Sequence, residues 1–301
     1  MPEGHTIHAL ARDLNTLFAG RRVRAASPQG RFTAGAARLD GCVLAGFDAY
    51  GKHLVGRFDG LSEVLHIHLG LFGKIAMSAG SCEPDAGPGP GADAWIVDGG
   101  GGRHRRGHGD GSTVRLELRA PHAGGVSVME LRGATACELL DPPEFDMLLS
   151  RLGPDPLDEH ADPERAWWRV HASARTIGEL LMDQSVVAGV GNIYRAEVLF
   201  RAGVSPSREG RRVSHGVWQA MWVDLVELMG QGFRTGRIDT VRPEHMPEVM
   251  GRPPRVDAHG GEVYVYRRSG RPCLVCGTPI MQRTVAGRKV YWCPVCQDDG
   301  A

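Results

Sequence analysis

The stretch TIGELLMDQSVVAGVGNIYRAEVLFRAGV, residues 176–204, carries apolar side chains at helical spacing on both sides of the tetrapeptide AGVG (188–191). Gly189 and Gly191 let the chain turn, and Asn192 stands where it can cap the following helix. The reading is two helices around a glycine turn. The second helix would offer free N–H groups and a positive dipole end, a seat for phosphate. On the segment alone a plain helical hairpin with an ordinary cap is the better reading, and the surrounding sequence reverses it.

Upstream, Asp162, Pro163 and Glu164 have the order of an N-cap, a first-turn proline and an early acid, which predicts a helix start. From there to about Gly232 the chain reads as largely helical. Residues 138–164 hold nine acids and one base, Arg151, with PP, GPDP and DP breakers, and read as an interdomain connection. At the other end, Ile7, Leu10, Ala11, Leu14, Leu17 and Phe18 recur at helical spacing after Glu3, and Gly20 marks the stop. Residues 22–80 read as short strands, including GCVLAGF, HLVGRF and EVLHIHL, and TVRLELR and VSVMELR form a further pair. The fold class is α+β: an N-terminal helix with an antiparallel β sandwich, then a helical domain and a cysteine-bearing β hairpin. The Gly/Pro/His/Arg-rich stretch 83–112 offers little to a core and reads as a flexible, solvated insertion rather than a polyanion contact.

With 301 residues, 42% hydrophobic and 23% charged, the chain has the composition of a soluble protein of about two domains. It has no apolar run of membrane-spanning length. The opening MPEGHT lacks a secretory pattern, so the reducing cytoplasm is the expected compartment. Thirty-five bases balance thirty-five acids, which excludes a uniformly basic protein. Outside residues 138–164, however, the balance is 34 bases to 26 acids, a net +8 compatible with a polyanion partner. Only Lys52, Lys74 and Lys289 are lysines.

Four of the seven cysteines form CLVC (273–276) and CPVC (293–296), separated by sixteen residues. Two such knuckles can place four thiolates around one structural Zn2+, with no coordination position left open. Between them, QRTVAGRKVYW reads as two strands joined at Ala286–Gly287, with Arg288 near the tip, either solvated or set for a DNA groove or phosphate.

Pro2 follows an initiator methionine that is normally removed before a small residue, which would expose a secondary amine at a helix start beside Glu3. An α-amine has a reference pKa of about 8, and the helix dipole disfavours its protonated form. It can therefore act as a neutral nucleophile, with the carboxyl shuttling protons; a trivial start codon and helix cap are the bland alternative. In YGKHL, Lys52 follows a glycine at a strand start, where its ammonium can enter a cleft or remain a surface charge. In HLGLFGK, glycines flank Leu71–Phe72, either core residues or a wedge for a base stack. His66 and His68 read as strand residues, since no third partner stands at metal-ligand spacing.

Together, PEGHT (2–6), YGKHL (50–54), HLGLFGK (68–74), RLGPDPL (151–157), QSVVAGVGNIYRAEVLFRAGVSP (184–206) and RPCLVCGTPI (271–280) with GRKVYWCPVCQ (287–297) resemble the formamidopyrimidine-DNA glycosylase/endonuclease VIII family from one terminus to the other. The resemblance implies a DNA-repair enzyme with four parts: a β-sandwich domain over 1–137, a linker over 138–161, a helix-two-turn-helix domain over 162–262 and a zinc finger over 263–301. DNA would lie in the cleft between the main domains. It implies Pro2 as the Schiff-base nucleophile, Glu3 as general acid/base, and Lys52 as the aid to base loss and a phosphate contact. Asn192 and Arg288 would grip phosphate, and Leu71 and Phe72 would fill the gap left by an everted nucleotide. The expected activity is excision of an oxidised base and β,δ-elimination at the abasic site, by a monomer acting on damaged double-stranded DNA. The PEGHT opening, and the absence of an Arg-x-Phe element over 117–136, resemble the endonuclease VIII branch and oxidised pyrimidines. A purine-directed glycosylase and a noncatalytic zinc-dependent binder of damaged DNA are the alternatives.

Overall fold

The computed structural model describes residues 2–80, 93–98, 103–105, 113–256 and 261–298. The chain divides into two compact units, residues 1–150 and 151–301.

In the first unit, helix α1 (Gly4–Phe18) starts immediately after Glu3 and buries Ile7, Leu10, Leu14 and Phe18 on one stripe. After it come β1 (Arg24–Ala26), α2 (Thr33–Leu39), β2 (Leu44–Tyr50), β3 (His53–Phe58), β4 (Val64–His68), β5 (Lys74–Gly80), β6 (Asp93–Asp98), β7 (Arg103–Arg105), β8 (Val114–His122), β9 (Gly125–Arg132), β10 (Ala136–Leu140) and α3 (Pro142–Ser150). The strands form two antiparallel sheets, a six-stranded one in the order β1-β8-β9-β5-β6-β7 and a four-stranded one in the order β10-β4-β3-β2. Alternate residues turn inward: Leu116, Leu118, Met129 and Leu131 from one sheet meet Leu54, Leu65 and Ile67 from the other and the apolar stripe of α1 in a single core.

Three stretches differ from the sequence expectation. Within 22–80 the Ala-rich segment Thr33–Leu39 is helical. Within 83–112 two strands, β6 and β7, join the larger sheet next to β5, because AWIV is β-prone despite its Gly- and Arg-rich flanks. The rest of that expected insertion lies outside the described residues. The acidic stretch expected as a linker over 138–161 begins inside β10 and continues into α3, both part of the first unit. There Pro142 and Pro143 open a helix rather than break one. The Asp141 carboxylate accepts from Glu144 N–H at 2.8 Å and Glu144 accepts from Asp141 N–H at 3.0 Å, a reciprocal capping box.

The second unit contains α4 (Pro163–His171), α5 (Ile177–Leu180), α6 (Asn192–Arg201), α7 (His215–Thr235), α8 (Pro247–Met250), β11 (Met281–Val285) and β12 (Arg288–Trp292). Asp162 caps α4 through Glu164 N–H, as the sequence predicts. The helix before the glycine turn is only the short α5, opened by a Thr176/Glu179 capping box. Trp218 of α7, Tyr194 of α6, and Tyr264, Ile280, Tyr291 and Cys293 share one core, so the cysteine hairpin packs as part of the helical unit. Arg201 of α6 clamps α7 through a two-pronged contact with Asp224.

Candidate functional site

Two contacts fix the direction of α1 against β2. Gly20 N–H donates to Leu44 O at 2.8 Å, and Asn15 brackets Phe47, accepting its N–H at 2.6 Å and donating to its carbonyl at 2.8 Å. Helix and strand therefore run antiparallel. From Asn15 back to Glu3 the helix rises about 18 Å. From Phe47 forward to Tyr50, where β2 ends, the strand advances about 10 Å, and Lys52 follows in the two-residue turn. Pro2 and Glu3 thus arrive at the same end of the unit as Lys52, in the turn between β2 and β3. Pro2 is buried, Glu3 is 3% exposed and Lys52 is 6% exposed. The Glu3 carbonyl accepts from Thr6 N–H at 3.0 Å, so its backbone begins the helix.

The register of β3 with β4 pairs His53 with His68. Lys52, in the turn just before His53, is therefore at the end of the sheet where β4 leads into the turn that joins it to β5. That turn carries Leu71, 51% exposed, and Phe72, 80% exposed. Both flanking glycines are required: a Cβ on Gly70 would collide with Thr135 Oγ1, and one on Gly73 would collide with the Leu69 carbonyl. The turn is pinned to the framework while its two apolar side chains project into solvent. A folded chain in water gains nothing from such exposure unless a partner covers it.

In the second unit, Asn192 is the first residue of α6 rather than its cap; Gly191, in extended conformation, occupies the cap position. Gln184, not singled out from sequence, accepts from Gly189 N–H and donates to Val190 O, each at 3.0 Å, and so fixes the loop. Buried Arg195 donates to Asn192 Oδ1 and, at 3.0 Å, to Lys289 O of β12. With its oxygen held, the Asn192 amide keeps its NH2 as the donating end. The same guanidinium ties the start of α6 to the residue next to Arg288. Strands β11 and β12 are joined by Ala286 and Gly287, both at positive φ, which places Arg288 directly after the turn as predicted. The structure therefore forms two groups of predicted residues, Pro2, Glu3, Lys52, Leu71 and Phe72 in one unit, and Asn192 and Arg288 in the other.

The Sγ atoms of Cys273, Cys276, Cys293 and Cys296 lie within 4.8 Å of one another, with 3.8 Å between Cys273 and Cys296 and 3.4 Å between Cys276 and Cys293. Four sulfurs tetrahedrally placed at ~2.3 Å from one ion would be about 3.8 Å apart, so the cluster fits a metal. Val275 and Cys296 N–H groups donate to the Cys273 and Cys293 sulfurs, as they would to thiolates. Hydrogen bonding to Thr278 draws the Cys276 thiol down to about 6, whereas burial pushes Cys293 and Cys296 up. Among the described residues this is the one group that can hold a metal, and no helix is long and apolar enough to cross a membrane.

These features define a two-unit protein: a helix-capped double sheet with a buried proline, a carboxyl and a lysine at the same end as an apolar turn, followed by a helical unit closed by a four-cysteine hairpin. Residues 1–103 match the formamidopyrimidine-DNA glycosylase N-terminal domain, and residues 152–242 match the formamidopyrimidine-DNA glycosylase H2TH domain. Endonuclease 8 1 of Mycobacterium tuberculosis (strain ATCC 25618 / H37Rv) is 44% identical over 300 residues, covering 99% of this chain and 100% of that protein. The formamidopyrimidine-DNA glycosylase of Stenotrophomonas maltophilia (strain K279a) is 38% identical over 157 residues, 51% of this chain and 55% of its own. Among solved structures, a complex of the Lactococcus lactis Fpg with abasic-site DNA superposes with a TM-score of 0.69 at 22% identity, covering 99% of this chain and 100% of that one. The MutM (FPG) protein of Thermus thermophilus gives a TM-score of 0.69 at 24% identity, with both chains fully covered. The chain belongs to the formamidopyrimidine-DNA glycosylase/endonuclease VIII family.

Proposed function

We propose that this protein is a base-excision DNA glycosylase with abasic-site lyase activity, directed to oxidised pyrimidines in double-stranded DNA. The observation that supports it most is the arrival of the α1 N-terminus, Lys52 and the exposed Leu71–Phe72 turn at one end of the first unit.

In this reading the Pro2 secondary amine, free after loss of Met1, attacks C1′ of the damaged nucleotide. The bond from C1′ to the base breaks, its electron pair leaves with the base, and Lys52 assists that departure. Loss of the amine proton and opening of the C1′–O4′ bond, with a proton delivered to O4′, give an iminium that acidifies C2′–H. Loss of that proton expels the 3′ phosphate, and a second elimination expels the 5′ phosphate. Water then hydrolyses the iminium and frees Pro2. Glu3, buried beside the amine, takes and returns the protons of these steps. Leu71 and Phe72 fill the space of the everted nucleotide. Asn192 and Arg288 hold the phosphate backbone, in keeping with the Asn192 donor that Arg195 turns outward. Cys273, Cys276, Cys293 and Cys296 hold a structural Zn2+, which would fix the hairpin that presents Arg288. The preference for pyrimidines rests on the 44% identity to an endonuclease 8 and on the PEGHT opening.

Borohydride trapping on abasic-site DNA tests the enzymatic reading. The parent protein, with loss of Met1 confirmed, forms a covalent adduct, Pro2→Gly does not, and Glu3→Gln cleaves far more slowly. A parent that binds this DNA but yields no adduct would leave only a binding role. Parallel cleavage of duplexes containing thymine glycol, 5-hydroxyuracil or 8-oxoguanine tests the substrate class, the first two being cut faster.

A further inference from the structure

The four-stranded sheet has a second face, turned away from the shared core. At one end α3 covers it, with Phe145 packed on Val55 and Val64. At the other end, next to Lys52, it is lined by imidazoles. The register aligns His53 with His68, and His66 with both Val55 and Glu138. His66 Nδ1 lies 2.9 Å from Glu138 Oε1, and His66 Nε2 lies 2.9 Å from His53 Nδ1. The His53 ring lies 5.1 Å from that of His66 and 4.9 Å from that of His68. None of this belongs to the residues assigned to the reaction above.

A carboxylate only accepts hydrogen bonds, so His66 must donate from Nδ1. In a neutral ring its Nε2 then carries the lone pair and accepts from His53 Nδ1–H. His53 is left with a lone pair on Nε2, at the residue adjoining Lys52. We propose that Glu138 and His66 are positioning residues for His53 and, through it, for Lys52: the carboxylate sets one tautomer along the series, leaving His53 Nε2 as an uncharged acceptor beside the lysine. The proposal rests on the glycosylase reading, in which Lys52 assists base loss.

The charged and titratable groups around His53 are Lys52 before it, Tyr50 opposite it on β2, His66 and His68 on β4, and Glu138 on β10 beyond His66; α3 brings Phe145 to the far end of this face. Burial, then His68, His66 and Lys52, hold His53 down to about 3, and burial and the charges of His66 and Lys52 lower His68 as well. Both rings beside Lys52 are therefore neutral at physiological pH. A buried ammonium is stabilised by lone pairs and destabilised by further cations, and neutral imidazoles meet that requirement.

Glu138 has a half-exposed side chain, so its replacement tests the series without opening a core. Long-range 1H–15N spectra of histidine-labelled parent protein should show His53 protonated at Nδ1 and bare at Nε2. Glu138→Ala should mix the tautomers and slow single-turnover base excision about tenfold, with DNA affinity and cleavage of preformed abasic sites changed less than twofold. Glu138→Gln, which retains an acceptor oxygen, should restore most of the rate. His53→Gln, whose amide reaches the Nε2 position, should retain more base excision than His53→Asn. An Nε2–H tautomer of His53 in the parent overturns the proposal, as does unaltered base excision in Glu138→Ala or an equal loss in excision, lyase activity and binding. Failure of the enzymatic reading is distinct, since it would show as a parent that forms no adduct.

Discussion

A carboxylate buried in the middle of a helix needs donors, and Glu197 of α6, fully buried, has four. Thr240 Oγ1 donates to it at 2.6 Å, and the N–H groups of Tyr264, Val265 and Tyr266 donate at 2.7, 2.9 and 2.8 Å. This one side chain satisfies three successive backbone amides on the way to the cysteine hairpin. Glu197→Ala would leave those amides buried and unmatched, at a cost of ~1–3 kcal/mol each, so urea unfolding should show a loss of more than about 3 kcal/mol. A loss below about 1 kcal/mol would mean that water replaces the carboxylate. Glu197 and Arg195 were not legible in the sequence. In NIYRAEVLF they have the spacing of exposed helix charges, and only the chain arriving from 264–266 and from Lys289 turns them inward. That Pro2, Glu3 and Lys52 come to one end of the first unit was legible in outline, because each is placed by its position along the chain: two stand at the start of α1, and a lysine after a turn glycine is placed by that turn.

Strands and helices with their own local signal appear where the sequence puts them, among them α1, α4, β3 and the β11–β12 hairpin with its Ala286–Gly287 turn. Where the local signal was masked by composition the sequence misled, since β6 follows a Gly/Pro-rich run and α3 begins at two prolines. The Asp141/Glu144 spacing was the available signal for α3, and it stands among breakers that point the other way. The turn between β4 and β5 permits a test of an element whose side chains stabilise nothing in the free protein. Leu71→Ala with Phe72→Ala should leave the melting temperature within about 2 °C, because exposed substitutions are worth less than ~0.5 kcal/mol. Base excision from duplex DNA should nevertheless fall at least tenfold, and less from a single-stranded substrate, where no stack needs filling. Equal losses on both substrates would remove the wedge role. The cysteine hairpin behaves differently, because Cys273 and Cys293 are part of the unit's core. Cys276→Ser, or chelation, should lower the thermal stability of the second unit and its DNA affinity together; retained affinity in metal-free protein would take the hairpin out of the binding account.

Across the whole molecule, zero net charge conceals an uneven distribution. The nine acids of 138–164 occupy the end of β10, α3, the approach to α4 and its first turn, and the rest of the chain is basic by eight charges. Fold class and the helical, cysteine-closed second half could be read from sequence because each rests on local periodicity or spacing. The division between units at Ser150–Arg151 could not, because it depends on which core each segment joins. An excess of arginine predicts binding governed by release of counterions, with the logarithm of the association constant falling linearly against the logarithm of salt concentration by about 0.9 per phosphate neutralised. If Arg288 holds a phosphate, Arg288→Ala should reduce that slope by about 1 as well as weaken binding. Asn192→Ala removes an uncharged donor, so it should weaken binding with no change of slope. The pair of titrations separates ionic from neutral grip: a slope unchanged in Arg288→Ala would mean that its guanidinium, at the base of the β11–β12 turn, contacts something other than the backbone of DNA.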